Sequence, residues 1–317
     1  MGDLLLNKKM VRNTDTKLDP ELSQHSQNSQ NSATPEQHDW RQQTWYILSQ
    51  NPISMFSIVL FLIFILVGIT GPFWVPFDPI ASDTSIALQA PSFLHLFGTD
   101  HLGRDVFSRV VVATRLDLWI ALSAVSISAL VGTSLGCLAG YFGGWYDRII
   151  GRIADTILAF PLFVLAMGIV AVRGNSLTNV IYATALINIP FFIRVARAEV
   201  TIQRNHQYVQ AALLSGNTHL RTLVFHIFPN CLPALMVQMS LNMGWAILNA
   251  AGLSFIGLGV RPPVAEWGIM VAEGANYIIS GEWWLVLFPG LILMLAVFCF
   301  NLLGDALRDL VDPQKRT

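Results

Sequence analysis

Six stretches of this chain are each long and apolar enough to cross a lipid bilayer, and that limits the available folds more than any other feature. A helix needs about 20 mostly apolar residues to traverse the hydrocarbon core. Segments 55–75, 118–140, 153–172, 177–196, 232–256 and 284–304 meet that length. The expectation is an all-α membrane protein with six transmembrane helices. Charge usage agrees: 12% of the 317 residues are Asp, Glu, Lys or Arg, against about 25% in soluble domains. Pro161, Pro190 and Pro289 fall within expected spans and should kink them, which neighbouring helices tolerate in a membrane.

Lys and Arg set the orientation, because they accumulate in cytoplasmic segments. With the N-terminus inside, 14 of the 19 basic residues lie on the cytoplasmic side. Only Arg104, Arg109, Arg115, Arg173 and Arg261 remain outside. Both termini are therefore expected in the cytoplasm. Leu4 to Leu6 is too short for the apolar core of a signal peptide. The Ser/Gln/Asn-rich run beyond it buries too little apolar area to fold. Residues 1–45 are expected to be a disordered cytoplasmic tail, with Trp40, Trp45 and Tyr46 approaching the first span.

Between the fourth and fifth spans lies a stretch of different character, 207–230, reading QYVQAALLSGNTHLRTLVFHIFPN. It is amphipathic, and Tyr208 to Leu214 are good helix formers, with Ala211 and Ala212 leaving a thin backbone. Gly216 takes a left-handed conformation without strain and so can end that helix. A second helical run is expected over 220–228, with Pro229 restricting the backbone after it. A helix–turn–helix between two spans is suited to receive a push from another protein, or else it simply connects them.

Ala124, Ser128, Gly132, Gly136 and Gly140 repeat at intervals of four on the second span. Such a stripe lets helix backbones approach closely, either as static packing or as a moving interface. Asn188, Asn242 and Asn249 are the polar groups nearest mid-membrane, candidates for interhelical hydrogen bonds or for lining a passage.

Several chemistries lack their residues. None of Lys8, Lys9, Lys17 and Lys315 follows a glycine, so there is no phosphate-cradling P-loop. No nucleophile elbow or zinc-binding histidine pair is visible. His95, Asp100, His101 and Asp105 cluster on the outer side without a diagnostic ligand spacing. Cys137, Cys231 and Cys299 are too dispersed for a disulfide framework. A net charge of −1 argues against a nucleic-acid partner. We expect no catalytic residues, no cofactor and no resident metal. An ion-coupled secondary transporter, the competing class, usually keeps an ionisable group well inside a span. Here Asp155 and Asp305 lie near span ends.

The spacing Gln210-Ala211-Ala212, then Gly216, then His226-Ile227-Phe228-Pro229 resembles the EAA loop of importer-type ABC permeases, with Gln210 and Phe228 in place of the usual glutamate and leucine. Four further motifs extend the resemblance. They are Phe97 to Arg109; Ala139 to Trp145 with Arg152 to Asp155; Gly252 to Gly259 with Pro262, Pro263, Trp267 and Gly268; and Asn301 to Asp305 with Arg308, Asp309, Asp312 and Pro313. In that order they are similar to the C-type permease subunit of dipeptide, oligopeptide or nickel importers, over most of 55–317. The resemblance implies a type I ABC importer permease fold over 46–317, with a coupling loop at 199–230, in a bacterial inner membrane. It also implies four kinds of neighbour: a second homologous permease, two cytoplasmic ATPase subunits, an extracytoplasmic solute-binding protein and the lipid bilayer. Tyr208, Val209, Gln210, Ala211, Ala212, Gly216, His226 and Pro229 become the ATPase-coupling residues. Peptides lead as the solute, with nickel second.

Overall fold

The computed structural model describes residues 52–311. The expected tail, Trp40, Trp45, Tyr46 and the Asp312-Pro313 end of the last motif lie outside the described residues. Among those residues, ten α-helices occur in order. They are α1 (Pro52–Trp74), α2 (Val106–Phe142), α3 (Gly144–Leu158), α4 (Leu162–Arg173), α5 (Leu177–Gln203), α6 (Gln207–Leu214), α7 (His219–Thr222), α8 (Phe228–Phe255), α9 (Trp267–Ala275) and α10 (Trp284–Val311). Five rods are long and apolar enough to cross a membrane: α1, α2, α5, the continuous run His219–Phe255, and α10. A sixth crossing exists only if the bent pair α3 and α4 is taken as one span.

The expected third span, 153–172, is therefore corrected. Helix α3 ends at Leu158, and α4 leaves at 86° to it. Pro161 has no N–H for the Ile157 carbonyl, and its ring would clash there. The Ile157 carbonyl is taken instead by the Phe160 N–H at 3.3 Å. Helix α4 has 12 residues, about 18 Å of rise, against the ~30 Å of a hydrocarbon core.

Helix α2 also departs from expectation, beginning at Val106 rather than near 118. Asp105 caps it, accepting from the Ser108 N–H at 2.7 Å. Its 37 residues make a rod of about 55 Å, so Arg109, Arg115 and Asp117 belong to the helix and not to the loop before it.

The small-residue stripe of α2 lies against α5. A Cβ on Gly132 would lie 2.6 Å from Phe192 Cβ, on Gly136 2.5 Å from the Ile193 carbonyl oxygen, and on Gly140 2.7 Å from that of Arg197. The Ser128 hydroxyl donates across to the Ala185 carbonyl at 2.9 Å. No other residue type fits this approach, because any side chain would push the two backbones apart. The three asparagines make no interhelical hydrogen bond among the described residues. Asn188 and Asn249 donate to carbonyls four residues back in their own helices, at 2.8 and 2.9 Å. The buried Nδ2 of Asn242 has no hydrogen-bond partner among the described residues.

Trp267 is fully buried at the centre of the largest core cluster. Its indole N–H donates to the Val110 carbonyl at 3.1 Å, and Phe64 meets its ring edge-on. Helix α9 is thereby packed against α1 and α2.

Candidate functional site

The loop 199–230 is a compact helical turn seated on the ends of three long helices. In α6, Val209 is buried, while Gln210 and Ala211 are exposed and Ala212 is half-buried. Val209 shares a core cluster with Val200, Leu223, Ile227 and Cys231, which fixes one face of α6 against α5 and α8. The opposite face stays bare: Leu214 is 89% exposed, and Leu220 and Phe225 about two-thirds exposed. An apolar edge left open on a turn this short is what a partner protein would cover.

Gly216 closes the turn. Its φ is +86°, its own N–H bonds to the Leu213 carbonyl at 3.0 Å, and the Asn217 N–H reaches Ala212 at 3.2 Å. These are the two bonds of a Schellman motif, which satisfy the last carbonyls of α6. Thr218 then caps α7, accepting from the Arg221 N–H at 3.3 Å. The Tyr208 hydroxyl donates to Gln203 at 2.8 Å and accepts from Asn230 at 3.4 Å. Partial burial pushes this phenol up from its usual range, so it remains a neutral hydrogen-bonding group.

Pro229 does not stop the second run, contrary to expectation. Residues Leu223–Ile227 form a π-turn in which the Phe228 N–H bonds to the Leu223 carbonyl, and α8 continues directly into its span. The wider turn accommodates a proline that gives no N–H to the Phe225 carbonyl. His226, half-buried, contributes its carbonyl to the Asn230 side chain at 2.7 Å. The loop is thus rigidly continuous with α8. It is also tied to the end of α2: Arg204 donates to the Gly140 and Tyr141 carbonyls at 2.9 and 3.2 Å, and Tyr141 meets His219 at 2.9 Å.

At the other end of α2 sits a buried charge network. Arg104 donates to Asp100 at 2.6 Å and to Glu273 at 3.0 Å. Arg109 stands 3.7 Å from each of those carboxylates and donates to the Pro79 carbonyl at 3.1 Å. The four outer residues read as one group in the sequence are split. His95 pairs with Asp105 at 2.9 Å, whereas Asp100 belongs to the arginines. Asp100, His101 and Glu273 offer ligand atoms within 4.8 Å of one another. Two guanidiniums already balance the two carboxylates, so a divalent cation would find no net negative charge there.

A second buried set involves Asp117 and Glu266. Glu266 caps α9 through the Gly268 and Ile269 N–H groups at 3.0 and 2.8 Å, and Asp117 accepts from the Trp267 N–H at 3.1 Å. Both carboxylates thus meet the N-terminus of α9, Asp117 on its first N–H and Glu266 on the next two. Burial raises the Glu266 carboxyl above the ordinary carboxylate range. Sequence reasoning singled out neither residue, nor Glu273. Their only signal was a carboxylate beside an apolar run.

With this geometry in view, the comparisons place the chain. The profile of the family described as "Binding-protein-dependent transport system inner membrane component" matches residues 132–317. That of the "N-terminal TM domain of oligopeptide transport permease C" matches residues 40–91. The chain belongs to the binding-protein-dependent transport permeases, and within them resembles the peptide and nickel group. It is 44% identical over 269 residues to the probable D,D-dipeptide transport system permease protein of Escherichia coli K12, covering 85% of this chain and 90% of that one. It is 41% identical to a dipeptide transport system permease protein of Alkalihalophilus pseudofirmus, over 88% of this chain and 91% of that one. A nickel transport system permease protein of Escherichia coli K12 is 39% identical, over 84% and 96% of the two chains. The chain is a multi-pass membrane permease subunit of an ABC importer, and a secondary transporter is not favoured.

Proposed function

We propose that this subunit forms half of a peptide-translocating pore driven by ATPases on other chains, with 207–230 as the mechanical input. The observation that carries the reading is the seating of α6. A short helix with an open apolar edge is hydrogen-bonded through Tyr208 to Gln203 and Asn230, at the ends of α5 and α8, and the residues flanking it, Arg204 and His219, bond to the end of α2. When paired ATPases close on ATP, the exposed part of the Tyr208 to Leu214 helix moves with them. The π-turn and Arg204 pass that movement to the spans. Such a device shifts a population between inward- and outward-open states, and it works only if the ATPase holds the two states with different affinity. A second permease completes the pore, and an extracytoplasmic binding protein delivers the solute. Both termini and α6 then face the cytoplasm.

Di- or oligopeptides are the proposed solute, since the named solutes of the relatives are mostly peptides. Nickel is the second reading because of the nickel permease among them. The test is reconstitution with the partner subunits in proteoliposomes. Uptake of labelled dipeptide should require ATP, survive collapse of the proton gradient, and be indifferent to nickel. Uptake abolished by an ionophore while ATP remains high would contradict the proposal.

A further inference from the structure

We propose that α3 is an interfacial helix that binds an anionic phospholipid through Arg148 and Arg152. Its orientation follows from the bend, since it meets α4 at 86°. Asp147 pairs with Arg197 at 2.7 Å and Asp155 with Arg194 at 2.9 Å, which ties α3 to α5. With the apolar α4 directed into the bilayer, α3 lies close to the membrane plane.

Its faces divide accordingly. Ile150 and Ala154 are buried against Ala139 and Ile193. The acids point to α5 and are spent in the two ion pairs. Trp145, Ile149 and Ile153, at i, i+4 and i+8, form an exposed apolar stripe, with Tyr146 beside it and Phe160 just beyond. Arg148 and Arg152 border that stripe, and neither has a carboxylate partner among the described residues. Arg148 lies 5.8 Å over the Trp145 ring.

Between the arginines and the isoleucines runs a trough of about 470 Å³, lined by Arg148, Ile149, Arg152, Ile153, Thr156 and Ile157. Cationic heads on one wall and β-branched aliphatic groups on the other match one ligand chemistry, a phosphodiester carrying acyl chains. An amphipathic helix with Trp and Arg at its rim binds membranes in this way. The short apolar α4 follows directly after the end of α3.

The test uses the full chain with its partner subunits, carrying Ile153→Cys labelled with a fluorophore; Cys137, Cys231 and Cys299 are buried. Vesicles are made of phosphatidylethanolamine with or without phosphatidylglycerol, each doped with a lipid bearing a nitroxide at a shallow acyl carbon. Lipid quenching should be strong, rise several-fold with phosphatidylglycerol, and lose that rise in Arg148→Gln/Arg152→Gln. Inorganic phosphate at matched ionic strength should leave it unchanged, and displacement by phosphate would contradict a lipid site. A label reached only by an aqueous quencher would overturn the proposal. So would one shielded from both quenchers and cross-linking to the second permease, because α3 would then be a protein interface. Arg148→Lys/Arg152→Lys should retain the phosphatidylglycerol effect, which separates charge from folding.

Discussion

The two ends of α2 are built on opposite principles. At its N-terminal end Arg104, Arg109 and Asp100 are buried and the half-buried Glu273 joins them from 169 residues along the chain. At its C-terminal end the loop 199–230 closes on itself by local bonds and leaves Leu214, Leu220 and Phe225 in the open. The first arrangement holds three segments in one geometry, since a buried charge without its partner is costly. The second leaves area for something else to bind. A transport subunit needs both: a fixed closure at one end of its helices and a handle at the other.

If that contrast is real, removing one charge at the N-terminal end should have the largest effect. Arg104→Met leaves Asp100 and Glu273 short of a cation and should cost about 3–5 kcal/mol. It would be read as a large drop in melting temperature and in the amount of protein in the membrane. An unchanged melt would mean that the network is solvated and the comparison misplaced.

Next comes the seam joining the two ends. Gly136→Val places a branched side chain where a bare Cβ already lies 2.5 Å from the Ile193 carbonyl oxygen. Separating α2 from α5 should cost about 1–3 kcal/mol. A cross-link between engineered cysteines on the two helices would then form more slowly.

Glu266→Gln should cost less, about 1 kcal/mol for one weakened cap bond, and it carries a pH signature. With Glu266 raised in the folded state, its stabilising proton is fully present below the ordinary value of 4.5 and lost as pH rises through the raised one. The melting temperature should therefore decline with rising pH in this window. The glutamine variant should show a flatter profile.

These residues also mark how much the sequence could tell. The spans were readable because twenty apolar residues in a row admit few alternatives. The α3–α4 break was readable only in part: Pro161 announced a kink, but whether a proline bends a helix or breaks it by 86° depends on what packs around the bend. The start of α2 was missed because Arg109 and Asp117 look like loop residues until partners far along the chain are in view, Glu273 beside Arg109 and the Trp267 N–H donating to Asp117. The turn at Gly216 was legible, since its bonds are local. Pro229 misled for the same reason: as a local stop signal it was overridden by a π-turn that only a packed Leu223 and Ile227 would hold.

At Gly216 the effect on stability should stay local. Nothing lies within 4 Å of a Cβ placed there, so Gly216→Val adds only backbone strain of about 1–2 kcal/mol in an exposed turn. Gly216→Asn, tolerant of positive φ, should be milder. The most direct test of the account is the valine variant at matched levels in the membrane, measured for ATPase pull-down and ATP-driven dipeptide uptake. The account predicts a near-normal melt with both ATPase retention and uptake severely reduced, and partial recovery with asparagine. Full retention and full uptake with valine at 216 would show that the loop is only a connector between spans.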